Sequence, residues 1–155
     1  MDDAPQPLTP DEERLWRAVN RMLFTLPKAL DQDLQKLTGL NSSRYGILFN
    51  LSEAPEQTLR MNELAERTAL SASRVSRVVD SLEADGCVRR WPAAEDGRGF
   101  RATLTPRGLA RLQAAWPGHL LSARRRVMSP VAETGIDVAR LTELVERIVD
   151  RAEAP

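Results

Sequence analysis

Between Leu59 and Pro106 the spacing of apolar residues changes twice, and this restricts the folds open to the chain more than any other feature of its 155 residues. Leu64, Ala65 and, after a turn, Leu70 fit a short helix over Asn62 to about Thr68. Val75, Val78, Val79 and Leu82 then recur at i, i+3, i+4 and i+7, the pattern of one buried helix face. Ser71 stands where an N-cap belongs, and Asp85-Gly86 ends the helix because glycine adopts the left-handed conformation without a Cβ clash. The rhythm next becomes that of extended chain. Cys87–Trp91 and Phe100–Leu104 read as two short strands around a turn-rich connector from Pro92 to Gly99, a β-hairpin, and Leu59-Arg60-Met61 is a short extended piece ahead of the first helix.

Helical periodicity governs the flanks. Thr9-Pro10-Asp11-Glu12 is a capping box with proline at the first helical position. Trp16, Val19, Leu23, Leu26, Leu30, Leu34 and Leu37 follow at helical spacing; Pro27 should kink or interrupt this helix and Gly39 can end it. Asn41-Ser42-Ser43 opens a second helix carrying Tyr45, Leu48, Phe49 and Leu51, broken at Glu53-Ala54-Pro55-Glu56. Thr105-Pro106 opens a long helix through Leu109, Leu112 and Trp116. Pro117-Gly118 should bend it, and Ser129-Pro130 should interrupt it beyond about Met128. A last helix from Asp137 to Ala152 puts Leu141, Leu144, Val145 and Ile148 on one side, a face that must be buried against something. The fold expected is mainly α: a winged helix-turn-helix with a small β-hairpin wing, flanked by N- and C-terminal helices.

Composition excludes several functions. There is no apolar run near 18 residues to span a membrane, and Asp2 and Asp3 stand where a signal peptide would carry positive charge, so the expected location is cytoplasmic. Cys87 is the only cysteine and His119 the only histidine, so no internal disulfide, no cysteine-based metal site and no metal or other cofactor is expected. Neither residue lies in a nucleophile motif, which argues against an enzyme. Acids and bases balance at 22 each, yet the segment from Ser71 to Arg107 is two charges positive. All basic residues except Lys28 and Lys36 are arginine, a bias that a GC-rich coding sequence explains as well as function does.

The helix beginning at Ser71 has a face that suits double-stranded DNA. Opposite its apolar set it shows Ser73, Arg74, Ser76 and Arg77, short hydroxyls that permit close approach and two guanidiniums that match phosphate and guanine. Ser71 leaves a helix N-terminus open to a phosphate, and the acids Asp80, Glu83 and Asp85 fall in the half that would leave the groove. Arg98, flanked by glycines at the hairpin tip, suits a narrow minor groove, with Asp96 bracing the turn. Taken singly, each arginine reads equally as a solvated surface charge; the ordered pattern carries the inference.

From Leu59-Arg60-Met61-Asn62-Glu63-Leu64-Ala65 through Leu70-Ser71-Ala72-Ser73-Arg74-Val75-Ser76-Arg77 to Gly86, and again at Asp96-Gly97-Arg98-Gly99 and Leu104-Thr105-Pro106-Arg107-Gly108, the sequence resembles the MarR (multiple antibiotic resistance regulator) family. The resemblance implies a sequence-specific transcriptional regulator, usually a repressor, that binds a pseudo-palindromic operator as a homodimer and is nucleoid-associated when bound. It implies one structural domain in three parts: helices of 1–57 for dimerisation and support, a DNA-binding region at 58–106, and dimerisation helices at 107–155. It assigns Asp96 to wing support and Arg98 to DNA, and it implies release by a small aromatic or anionic effector, for which Trp16, Tyr45 and His119 are the candidate contacts. Cys87 replaces the leucine usual in the family and reads as a small buried apolar residue. Arg124-Arg125-Arg126 is open to two readings, DNA contact or ion pairs across a dimer. Two alternatives remain: a regulator that needs no ligand, and a winged-helix protein-interaction module without DNA binding.

Overall fold

A computed structural model describes residues 6–93 and 99–154. Helix α1 (Pro10–Thr38) leads into α2 (Ser42–Glu53), a single 3-10 turn at Pro55–Gln57, and strand β1 (Thr58–Arg60). Helices α3 (Met61–Thr68) and α4 (Ala72–Ala84) follow, then strands β2 (Val88–Pro92) and β3 (Phe100–Leu104). The chain ends in α5 (Pro106–Ala123), a π-helical turn (Arg124–Met128), α6 (Ser129–Thr134) and α7 (Val138–Glu153). The fold is thus mainly helical with a small antiparallel sheet, as the sequence predicts. The short extended piece before α3 is more than a connector. It forms β1 and pairs with β3, with Leu59 opposite Ala102, to give the order β1-β3-β2.

Local chemistry explains where the helices begin. Thr9, Asn41, Ser71, Thr105 and Asp137 each accept a hydrogen bond from the backbone N–H three residues on. Gly39 and Gly135, with φ of 71° and 68°, close α1 and α6 in the left-handed conformation.

The prolines leave their helices uninterrupted. Pro27 and Pro117 lie inside α1 and α5 without ending them. A proline leaves the carbonyl four residues earlier without its usual bond, and here those carbonyls belong to exposed Leu23 and Gln113, within reach of solvent. Ser129-Pro130 does not interrupt its helix either. The N–H of Ser129 bonds the carbonyl of Arg124, five residues back, and this wider turn carries the helix past Pro130. Gly118, expected at a bend, instead lies where α5 crosses α1: a Cβ there would sit 2.7 Å from Thr38 Cγ2.

One continuous core joins the flanks to the winged lobe. Ile47, Leu48 and Leu51 of α2 sit at its centre, fully buried, with Leu34 of α1, Leu64 of α3, Val75, Val79 and Leu82 of α4, Ala102 of β3 and Leu112 of α5 around them. Each fully buried branched side chain contributes roughly 1.5–3 kcal/mol. Cys87 is buried in this core as a free thiol, as expected of a small apolar residue. Among the described residues no helix is long and apolar enough to cross a membrane.

The tightest approach is at Gly108 in the first turns of α5, where a Cβ would lie 2.0 Å from the carbonyl oxygen of Cys87. On an open helix, glycine to alanine gains about 1 kcal/mol. Here the clash with backbone dominates: Gly108→Ala should destabilise by about 1–3 kcal/mol and lower the melting midpoint by several degrees. A midpoint equal to or above wild type would contradict the packing.

Candidate nucleic-acid interface

Helix α4 has one face fixed and the other free. Val75, Val79 and Leu82 are fully buried, whereas Ser73, Arg74 and Arg77 are exposed and Ser76 is half-buried. The turn that sets α4 across α3 is made by Ala69, at φ 51°, whose N–H returns to the carbonyls of Ala65 and Glu66. Ser71 is exposed at the start of α4, its Oγ accepting from Arg74 N at 3.4 Å and lying 3.3 Å from Ser73 Oγ. Arg74 reaches back to donate to Ser43 Oγ of α2 at 2.9 Å. Arg77 has no hydrogen-bond or ion-pair partner among the described residues. With Arg44 and Asn41, these two arginines line a cleft of about 400 Å³ between α2 and α4.

The acids of α4 have a role that sequence did not disclose. Glu83 Oε1 accepts from the backbone N–H of Arg90 at 2.7 Å, and Asp80 pairs with the Arg90 guanidinium at 2.8 Å. Both bonds tie β2 to α4. The same guanidinium lies 5.0 Å from the Phe100 ring centre, and Trp91 Nε1 donates to Thr103 Oγ1 at 2.9 Å, bracing the two strands against each other. Asp96 and Arg98, the residues singled out at the wing tip, lie outside the described residues.

Of the three candidate effector contacts, two come together. The Tyr45 and His119 rings stack with centres 4.6 Å apart beside a cavity of about 230 Å³ that Leu30, Leu34, Ser42 and Ser122 complete. The Tyr45 hydroxyl is buried without a hydrogen-bond partner, and its burial pushes the phenol up to about 12. Burial also lowers the His119 pKa, so both rings are neutral at pH 7. Trp16 is elsewhere. It is exposed, and it lies fourteen residues before Leu30 on the same helix, about 21 Å along the axis at 1.5 Å per residue.

Asp33 on α1 was missed, although an acid between the core positions Leu30 and Leu34 is a signal in itself. Its carboxylate is nine-tenths buried and accepts from Ser122 Oγ at 2.9 Å, Arg125 Nη2 at 2.6 Å and Arg126 Nε at 2.9 Å. Arg125 and Arg126 therefore engage an acid of their own chain, which neither sequence reading of the arginine run anticipated. The hydrogen bonds from Arg126 and then Arg125 hold the Asp33 carboxyl far below the usual carboxylate range. A depressed carboxyl stabilises the fold above its unfolded pKa, and that stability is lost as pH falls toward the folded value. Asp33→Asn should therefore be less stable than wild type by a constant margin above about pH 5, and the margin should shrink as pH drops below about 4. Urea denaturation of both proteins from pH 7 to pH 3 tests this; a margin unchanged across that range contradicts it.

Comparison with known proteins agrees with this geometry. A sequence model described as the MarR family matches residues 38–99. The HTH-type transcriptional repressor YetL of Bacillus subtilis is 31% identical over 131 residues, covering 81% of this chain and 78% of that one. Among solved structures, Sco3205, a MarR family transcriptional regulator from Streptomyces coelicolor in complex with DNA, superposes with a TM-score of 0.84 at 34% identity, over 99% of this chain and 94% of that one. AbsC, a MarR family regulator from the same organism, gives 0.80 at 34% identity, over 96% of each chain.

Proposed function

The chain belongs to the MarR family of transcriptional regulators, and on that premise we propose that it binds a pseudo-palindromic DNA operator as a homodimer, acts as a repressor, and is released by a small aromatic or anionic ligand. The observation that carries the DNA reading is α4, with Val75, Val79 and Leu82 buried, Ser73, Arg74 and Arg77 exposed and Ser76 half-buried beside them. A helix fixed in this way can enter a major groove, where a guanidinium pairs with O6 and N7 of guanine. Ser71 and Ser73 take phosphates, Arg98 takes the minor groove, and Asp96 supports the wing. The relative solved with DNA and the relative named as a repressor favour the same assignment.

Homodimerisation accounts for apolar surface that a monomer would leave wet. Leu15, Trp16, Leu23 and Phe24 of α1 are all more than half exposed, as are Leu144 and Ile148 of α7. A cleft of about 600 Å³ between α1 and the π-helical turn, walled by Met22, Leu26, Val127 and Val131, lies beside them. Trp16 belongs to this dimer surface, not to an effector pocket.

The effector site is the cavity under Tyr45 and His119. Its volume suits one substituted aromatic ring, and the unpartnered Tyr45 hydroxyl offers a donor to a carboxylate. The small molecule need favour the DNA-incompetent dimer by only about 1–3 kcal/mol to change operator affinity five- to 150-fold.

Two measurements test the reading. In gel-shift titrations against a randomised operator library, Arg77→Ala should cost about 1–3 kcal/mol and relax preference at one base pair. Arg98→Ala should lose most affinity on A·T-rich flanks. Wild-type affinity and specificity in both variants would refute the groove assignment. Tyr45→Phe separates fold from ligand. Removing a buried, unpartnered hydroxyl should raise stability by about 1 kcal/mol, yet weaken the effect of an aromatic carboxylate such as salicylate on operator binding. A Tyr45→Phe protein that is destabilised and still responds fully to the ligand contradicts the pocket.

A further inference from the structure

We propose that the cleft where the ends of α1 and α4 meet the starts of α2 and α5 binds a phosphate-bearing anion, at a site that shares Arg44 with the cleft beside Arg74 and Arg77 but lies at the C-terminal end of α4. The cleft holds about 620 Å³ and is lined by Gly39, Arg44, Asp85, Cys87, Arg107 and Arg111. Arg44 pairs with Asp85. Arg107 and Arg111, one turn apart on the exposed side of α5, direct their charge at the same carboxylate: after Arg44 itself, both help to hold the Asp85 carboxyl below its ordinary range. The stem of Arg107 passes Gly86, with its Cδ 3.7 Å from where a Cβ would stand, and the Arg111 head group lies over Gly39, 3.0 Å from the corresponding point. Absence of a side chain at Gly39 therefore leaves room for that guanidinium.

Charge and hydrogen bonding are both left incomplete. Three guanidiniums face one carboxylate, so two positive charges are uncompensated. Neither Arg107 nor Arg111 has a hydrogen-bond or ion-pair partner among the described residues, and Arg44 Nε is buried without an acceptor. Like charges at i and i+4 repel on a helix, and an anion between them removes that repulsion. A phosphate monoester carries close to two negative charges at pH 7 and matches the surplus, whereas a carboxylate would leave one charge over. Guanidinium forks grip phosphate oxygens in pairs. A soluble phosphorylated molecule supplies that dianion; a phosphodiester of the DNA backbone would meet the same guanidinium forks with one charge and leave one positive charge over, so the two sources are told apart by experiment.

The proposal does not depend on how α4 reads bases, because its first test contains no DNA. Calorimetric titration of the full chain with inorganic pyrophosphate at fixed ionic strength should show saturable binding. The Arg107→Ala/Arg111→Ala variant should bind at least tenfold more weakly while keeping its helical circular dichroism. Arg107→Lys/Arg111→Lys, which keeps the charge but loses the forks, should fall between them. Operator titrations across salt concentrations then separate the sources. If the backbone supplies the phosphate, the slope of log K against log salt becomes shallower in the alanine variant by roughly one to two; if a free anion does, the slope holds while pyrophosphate affinity falls. Equal pyrophosphate affinity in wild type and the alanine variant overturns the proposal. So does the absence of saturable binding together with an unchanged salt slope.

Discussion

What the chain offers to a partner depends on the seam between α2 and α4. Val75, Val79 and Leu82 bury one face of α4 completely, and Ile47, Leu48 and Leu51 of α2 fill the centre of the same core. An eight-residue α3 and a thirteen-residue α4 are too short to hold themselves in water. Their helicity and their crossing are both products of this packing. With the inner face locked, the direction of Arg77 follows from the period of the helix, because it falls opposite 75, 79 and 82, whereas Arg74 falls at the side, where it meets Ser43 of α2. Specificity of direction is thus obtained from apolar burial, and the charged residues need supply none of it.

Electrostatics adds a second layer. Equal numbers of acids and bases would give a featureless surface if they were mixed, but here several acids are consumed as anchors. Asp80 and Glu83 hold β2 through Arg90, Asp33 holds Arg125 and Arg126, and Asp85 holds Arg44. Arg77, Arg107 and Arg111 are left without such partners among the described residues. These pairs use four acids and four arginines and leave the overall balance unchanged, so what a partner meets is decided by where the unpaired charges stand: Arg77 on the outer side of α4, Arg107 and Arg111 on that of α5. Total charge says little about partners when charges are segregated on the surface.

Features set by a few neighbouring residues were legible in the sequence. Thr9, Ser71, Thr105 and Asp137 cap helices because each acts on an N–H three residues away, and the apolar faces of α4 and α7 need only their own period. Interruption at the prolines does not occur because a lost hydrogen bond is a local cost that a long helix can absorb through solvent at Gln113 or a π-helical turn before Pro130. Contacts across the chain were the least legible. Asp33 meets Arg125 and Arg126 from 92 and 93 residues away, and Tyr45 meets His119 from the other side of the winged lobe in sequence. The exposed side of α4, with Ser73, Arg74 and Arg77, was readable because it is set by the period of one helix. Trp16 lies apart from Tyr45 and His119 in the chain, since helical spacing gives a face but not how far along the axis the neighbouring helix begins.

Asp33 also stands between two features that the sequence kept apart. Ser122 lines the cavity under Tyr45 and donates its hydroxyl to Asp33; Arg126 donates to the same carboxylate and lines the apolar cleft between α1 and the π-helical turn. A molecule in the cavity that accepts the Ser122 hydroxyl proton must compete with Asp33 for it, whereas one that donates to Ser122 Oγ need not. A side chain inserted in the cleft must pack against Arg126, whose guanidinium is held at 2.9 and 3.1 Å by Asp33. Both events bear on one buried carboxylate, and a buried carboxylate tolerates the loss of donors poorly because its remaining charge is not resolvated. Cavity and cleft thus share one side chain on α1, bonded to a lining residue of each. By reciprocity, whatever free energy occupancy of one contributes to the other is returned in equal measure.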